Sequence, residues 1–257
     1  MGGLAFKTLG GAGEDLVLVH GFGADRLSWI GISPELMTRA RVHALDLPGH
    51  GESASADPGE GSVADLARAV HAALSSQGIG RLHLLGHSLG GAIAMRLAAD
   101  EPDRILSLAL IAPAGLGRGP DPHFLTALPA LSSFEEAEAL LKQLVVRPQL
   151  INKLTVQRLL DHLGRDGVRE ALARIGQNLA AASPDLAAAA DVIGRRDMPR
   201  LVLWGAEDRI NPIDEAAVAR FGGALCRIDP AGHLPHIEAA RQATAALLPF
   251  YRAGEQG

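Results

Sequence analysis

Several things are scarce in this chain, and each scarcity excludes something. Only one cysteine, Cys226, occurs in 257 residues, so no intramolecular disulfide framework exists and a reducing compartment fits. Lysine and arginine number 24 against 29 aspartates and glutamates, a formal net charge of −5. With no long basic run, this argues against a surface that tracks nucleic-acid phosphates. No apolar stretch approaches the ~18 residues of a membrane span. Met1 to Phe6 lacks the charged and apolar regions of a signal peptide, and Phe6 breaks the myristoylation pattern. The expectation is a soluble cytoplasmic protein with neither a nucleic-acid nor a membrane partner. What is present, 47% hydrophobic and 21% charged residues, suffices for one large α/β domain or a domain with an insertion.

The most informative stretch runs from Arg81 to Ala94. Leu82 to Leu85 reads as a buried strand and Leu89 to Ala99 has helical spacing without a breaker after Gly91. Between them Gly86-His-Ser-Leu-Gly90 matches G-x-S-x-G, a turn that lifts a serine clear of the sheet. Its glycines keep Cβ atoms away where strand and helix nearly touch. Ser88 is the candidate nucleophile, and the Leu89 N–H, at a helix N-terminus, is one candidate donor to an oxyanion.

The remaining strands follow in order. Ala5 to Leu9 reads as an edge strand, and Leu16 to His20 as a central one running into His20-Gly-Phe-Gly23. The Phe22 N–H is the second candidate oxyanion donor, and Trp29 a packing residue. Arg41 to Asp46 is the next strand, leading into a turn-rich segment. Asp46 and His50 lie among turn formers without a completed ligand set, and they are read as structural. Ser62-Val-Ala-Asp65 has the form of a capping box, with Val63, Leu66, Val70 and Leu74 at helical spacing behind it. Ile105 to Ile111 is a further strand, and the alternation of strands with helices implies right-handed crossovers and a mostly parallel sheet.

From Gly115 to Arg196 the rhythm changes to helical stretches punctuated by proline and glycine. This reads as a helical cap, residues 115–196, inserted into a core of residues 1–114 and 197–257. His162-Leu-Gly-Arg-Asp-Gly167 within it spells H-x-x-x-D-G, the signature of dihydrolipoamide acyltransferases of a different, trimeric fold, and is read as coincidence. Arg200 to Trp204 resumes the sheet, and Asp208, just past its end, is the candidate acid in preference to Glu207. Ala224 to Ile228 is the last strand, with Cys226 read as a buried small hydrophobe. His233 follows as the candidate base; His236 opens a terminal helix reaching about Tyr251 and reads as a surface or packing residue.

Taken together, His20-Gly-Phe-Gly23, Asp46-Leu-Pro-Gly-His-Gly51, Gly86-His-Ser-Leu-Gly-Gly91, Gly205-Ala-Glu-Asp208 and Gly232-His233 resemble the α/β-hydrolase superfamily over nearly the whole chain. The resemblance implies an α/β fold with a mostly parallel sheet flanked by helices. It also implies a Ser88, Asp208, His233 triad acting on a small-molecule acyl substrate, with no metal or other cofactor. Leu110 to Gly117 and Trp204 to Ile210 are similar to the hydrolase-like domain of the dihydrolipoyl acetyltransferase component of acetoin dehydrogenase systems. That subfamily often carries an N-terminal lipoyl domain, absent here, so a stand-alone member or a domain of a longer chain is expected, with a link to a lipoyl-bearing partner. The leading reading is a serine hydrolase of small esters or thioesters; the alternatives are an acyltransferase, a carbon–carbon bond hydrolase and a non-catalytic binding module. Dehalogenases and epoxide hydrolases place aspartate where Ser88 stands, and ring-fission hydrolases usually carry Gly-Asn-Ser at the turn and tryptophan at the place of Leu234.

Overall fold

A computed structural model of the chain describes residues 3–251. Seven strands form one sheet: β1 (Phe6–Gly10), β2 (Asp15–Val19), β3 (Arg41–Leu45), β4 (Leu82–His87), β5 (Ile105–Ile111), β6 (Arg200–Gly205) and β7 (Ala224–Ile228). Their spatial order is β1-β3-β2-β4-β5-β6-β7. β1 runs antiparallel to β3 and every other pair is parallel. Val19 pairs with Gly86, Gly86 with Leu110, Ile111 with Leu203 and Gly205 with Ile228. That register brings the carboxyl ends of β2, β4, β5, β6 and β7 to one edge of the sheet, where ligands of such sheets collect.

Strand alternation divides the core in two. Val17, Val19, Leu84, Leu110, Val202 and Trp204 face one side, while Leu16, Leu18, Leu85, Ile111, Leu201 and Leu203 face the other. The first face is covered by α2 (Val63–Ser76), α3 (Leu89–Asp100), α8 (Ser183–Gly194) and α9 (Glu215–Phe221). α1 (Ser33–Leu36) and α11 (Ala240–Phe250) cover the second. Ser62 and Asp65 form the expected reciprocal cap at the start of α2.

Between β5 and β6 lie α4 (Pro122–Ala130), α5 (Phe134–Lys142), α6 (Lys153–Leu163), α7 (Val168–Ala181) and α8. α4 to α7 pack chiefly on one another, whereas α8 packs on α3 and α9. The stretch expected to be a cap is thus helical, but its last helix belongs to the sheet's flank, because Ile193 and Ala190 supply an apolar stripe to that face. The expected terminal helix is two: α10 (Pro235–Glu238) and α11, broken at Ala239, whose φ of −130° and ψ of 49° are not helical. Cys226 is half-buried on the edge strand β7 rather than enclosed. No helix among the described residues is long and apolar enough to cross a membrane.

The β4–α3 junction is tight enough to dictate its residues. A Cβ on Gly90 would lie 2.0 Å from the Val19 carbonyl oxygen and 2.5 Å from that of His20; one on Gly86 would lie 2.4 Å from the Gly90 oxygen. Backbone cannot yield as a flexible side chain does. Gly90→Ala is therefore expected to cost about 3 kcal/mol or more, at the upper end of overpacking effects, measured by urea unfolding. Gly80→Ala is the control: nothing lies within 4 Å of an added Cβ there, and a shift under about 0.5 kcal/mol is expected.

Candidate active site

Ser88 connects β4 to α3 at φ 51° and ψ −113°, a conformation that L-residues adopt only when the surroundings impose it. Its N–H donates to the Ile111 carbonyl at 2.9 Å, and its own carbonyl accepts from Gly91 and Ala92 at 3.0 and 3.1 Å and from Ala114 at 3.1 Å. Strand β5 and the start of α3 thereby hold the turn from both sides.

The structure brings Ser88, Asp208 and His233 together. His233 Nε2 lies 3.0 Å from Ser88 Oγ, and His233 Nδ1 lies 2.8 Å from Asp208 Oδ2. An ionised carboxylate only accepts, so Nδ1 carries the proton and Nε2 presents its lone pair to the serine hydroxyl. Asp208 is held by more than the histidine. Its Oδ1 accepts from the N–H groups of Ile210 and Asn211, both at 2.9 Å, and its Oδ2 from Trp204 Nε1 at 3.1 Å. Glu207 is exposed and takes no part in this network. Trp204, read in the sequence only as the end of a strand, also donates its indole N–H to the Asn211 carbonyl at 3.1 Å.

The loop after β2 lies against this turn. A Cβ on Gly21 would fall 2.6 Å from His87 Nδ1 and 3.3 Å from Ser88 Cβ. Two buried histidines hold the loop. His50 Nε2 accepts from the Gly23 N–H at 3.1 Å while its Nδ1 donates to the Pro48 carbonyl at 2.9 Å. His20 Nε2 accepts from the Leu47 N–H at 3.0 Å while its Nδ1 donates to the Gly21 carbonyl at 2.8 Å. Burial lowers the pKa of both, which keeps each imidazole neutral and able to accept on one nitrogen and donate on the other. Asp46 binds the Arg26 guanidinium and accepts from the N–H groups of Arg26 and Glu52, in keeping with its structural reading. Among the described residues, the N–H groups of Phe22 and Leu89 donate to no other protein group.

His87 and His236 were not legible as parts of this site. His87 Nε2 donates to the His233 carbonyl at 2.9 Å. His236 is fully buried, the packing rather than the surface alternative, and its ring lies tilted between Trp29 at 4.9 Å and His87 at 4.7 Å between centroids. Burial, then the neighbouring histidines, push His87 well below its ordinary value; burial, then His233, push His236 down to about 3. A pocket of about 320 Å³ opens above Ser88 and His233. Its walls include Phe22, Phe124, Leu125, Leu128, Leu141, Leu144 and Leu179, with Asp25, Thr155, Arg158 and His162 also on the lining. His162, whose H-x-x-x-D-G setting is read as coincidence, lies on the pocket wall, and its Nε2 donates to the Gly49 carbonyl at 3.1 Å.

These histidines set an acid limit on stability. In the unfolded chain each titrates near pH 6.5, so below that pH the unfolded state binds protons that the folded state refuses. Their contribution is fully present above about pH 6.5 and is lost as pH falls, for His236 toward its value of about 3. Stability is expected to fall with a slope of about 1.4 kcal/mol per pH unit for each such histidine. His236→Phe should make the decline between about pH 6 and 5 shallower by about one proton, measured by denaturant unfolding across that range.

Comparison with known proteins agrees with this architecture. Residues 16–247 match the model of the alpha/beta hydrolase family. The dihydrolipoyllysine-residue acetyltransferase component of the acetoin cleaving system of Pseudomonas putida is 36% identical over 247 residues, which are 96% of this chain and 66% of that protein. The chain therefore spans just under two-thirds of that relative's length. The pimeloyl-[acyl-carrier protein] methyl ester esterase of Neisseria meningitidis is 30% identical over 96% of both chains. Among solved structures, a meta-cleavage product hydrolase from Pseudomonas fluorescens superposes with a TM-score of 0.84 over 98% of this chain and 95% of its own, at 20% identity; it is similar in fold. With the match extending from β2 into α11, the chain belongs to the alpha/beta hydrolase family.

Proposed function

We propose that this protein is a serine hydrolase that cleaves a small ester or thioester through an acyl-enzyme on Ser88. The observation that carries the reading is the relay from Ser88 Oγ through His233 to Asp208 beneath a largely apolar pocket. In this mechanism His233 Nε2 takes the Ser88 hydroxyl proton as Oγ attacks the carbonyl carbon. Asp208 keeps Nδ1 protonated and stabilises the imidazolium that forms. The N–H groups of Phe22 and Leu89 receive the oxyanion, a contribution for which losing one donor typically costs ~10²–10³ in rate. His233 then protonates the leaving alcohol or thiol. Water, deprotonated by the same imidazole, attacks the acyl-enzyme, releases the acid and restores Ser88.

Helices α4 to α7 act as the cap in this reading: Phe124, Leu125, Leu128, Leu141 and Leu179 line the pocket, so an apolar acyl group displaces water beside the reacting carbonyl. A second reading draws on the name of the Pseudomonas putida relative. An acyltransferase would use the same acyl-enzyme and pass the acyl group to a thiol such as a lipoyl group. The acceptor alone separates the two.

The test is turnover of p-nitrophenyl acetate, butyrate and octanoate, with and without dihydrolipoamide. Free acid is expected as the product whatever the acceptor, and Ser88→Ala should lower kcat by a factor of about 10⁴ or more while leaving the unfolding midpoint near that of the parent. Acyl-dihydrolipoamide as the main product favours the transferase. Full activity in Ser88→Ala overturns both.

A further inference from the structure

Glu238 is a buried carboxylate, 5% exposed, on the short helix α10 that follows His233. Its two oxygens serve two different segments. Oε1 accepts from the Gly232 N–H at 2.6 Å, immediately before His233. Oε2 accepts from the N–H groups of Val146 at 2.8 Å and Arg147 at 3.4 Å, in the connection between α5 and α6. The same two segments also meet directly: the His233 N–H donates to the Leu144 carbonyl at 2.8 Å. They are close enough that a Cβ on Gly232 would lie 2.7 Å from the Leu144 oxygen and 3.2 Å from Val145 Cα. Leu144 is itself a wall of the pocket.

We propose that Glu238 is a positioning residue for His233, tying the pocket wall at residues 144–147 to the histidine loop at residues 232–233. The inference rests on the reading of Ser88 and His233 as the reacting pair. Space-filling alone does not call for a charge here, since a buried carboxylate is costly unless its oxygens are met by donors. Charge-assisted hydrogen bonds are shorter and about twice as strong as neutral ones, and this carboxylate gives one oxygen to each segment. His233 is then fixed on three sides: its side chain by Asp208, its carbonyl by His87, and its N–H and the preceding peptide by Leu144 and Glu238. An acyl chain pressing on Leu144 bears on the same hydrogen-bonded unit that carries the base.

Glu238→Gln tests this with nearly the parent's shape, because the amide group faces at least one of these N–H donors with donors of its own. Glu238→Ala removes the tie altogether. Active sites are counted with a fluorophosphonate, and p-nitrophenyl butyrate turnover is expressed per titrated site, so partial unfolding does not enter kcat. Amide exchange at Gly232, His233 and Val146 is followed in the same samples. The expected result is a fall in kcat per site of about 10- to 100-fold, the scale of a small misplacement of a catalytic group, with KM within about threefold of the parent. Exchange at Gly232 and Val146 should quicken by about tenfold or more in Glu238→Ala as their acceptor is lost, and at one or both of them in Glu238→Gln, while His233, whose N–H donates to the Leu144 carbonyl, should quicken as the two segments part. A kcat per site within about threefold of the parent, or a change confined to KM, overturns the proposal even if the melting temperature falls. Parent turnover that does not depend on Ser88 overturns the hydrolase reading instead, and unchanged exchange in the variants overturns the tie independently of any activity.

Discussion

A contact of backbone upon backbone governs this molecule: Gly90, in the first turn of α3, sits where its missing Cβ would lie 2.0 Å from the carbonyl oxygen of Val19. Helix α3 approaches strand β2 so closely only because Gly90 has no side chain, and strand β4 so closely only because Gly86 has none. The chain between strand and helix then has too little room for a relaxed turn, and Ser88 takes the positive φ of 51°. Such a residue costs about 1–3 kcal/mol and persists where neighbours over-determine it. Here the Ile111 carbonyl and the N–H groups of Gly91, Ala92 and Ala114 do so. The approach that strains Ser88 also lays the Gly21–Gly23 loop beside it, so serine and both candidate oxyanion donors come from one packing event.

Around that contact, histidines serve two different purposes. His233 lies between an acid and a hydroxyl, the arrangement suited to moving a proton. His20, His50 and His87 instead bond backbone groups. Burial depresses their pKa values, so they stay neutral, and in His20 and His50 a charged ring would lose its acceptor nitrogen. A neutral imidazole joins an N–H in one segment to a carbonyl in another across a distance that serine or asparagine would not span. The resulting rigidity surrounds His233 with rings that stay neutral.

In the proposed mechanism the pocket adds the other requirement of acyl chemistry, apolar walls around the reacting carbonyl. Its walls come from α4 to α7 and from residues 22–28, and Ser88, His87 and His233 contribute polar atoms to the lining. Electrostatic stabilisation of a developing oxyanion is worth more where water is excluded. Hydrolysis and transfer share every step up to the acyl-enzyme, so the fold alone does not separate them.

Much of this was legible along the chain. The turn around Ser88, the strand ends carrying Phe22, Asp208 and His233, and the capping box at Ser62 are local signals, in which glycines and apolar runs at fixed spacing state their own geometry. What tertiary structure alone decided lies between distant segments. The role of α8 was hidden because its apolar stripe fits a sheet face as well as a cap interior. His236 as a buried ring, His162 on the pocket wall, Trp204 on the Asp208 carboxylate and Glu238 joining residues 146 and 232 carry no local pattern, since each acquires its partners only when strands and helices far apart in sequence are brought together. Local sequence dictates which residues can form a strained turn or a buried strand through sterics and apolar periodicity. Which polar groups meet inside depends on how the packed elements close around them, because a hydrogen bond is defined by positions in space and not by separation along the chain.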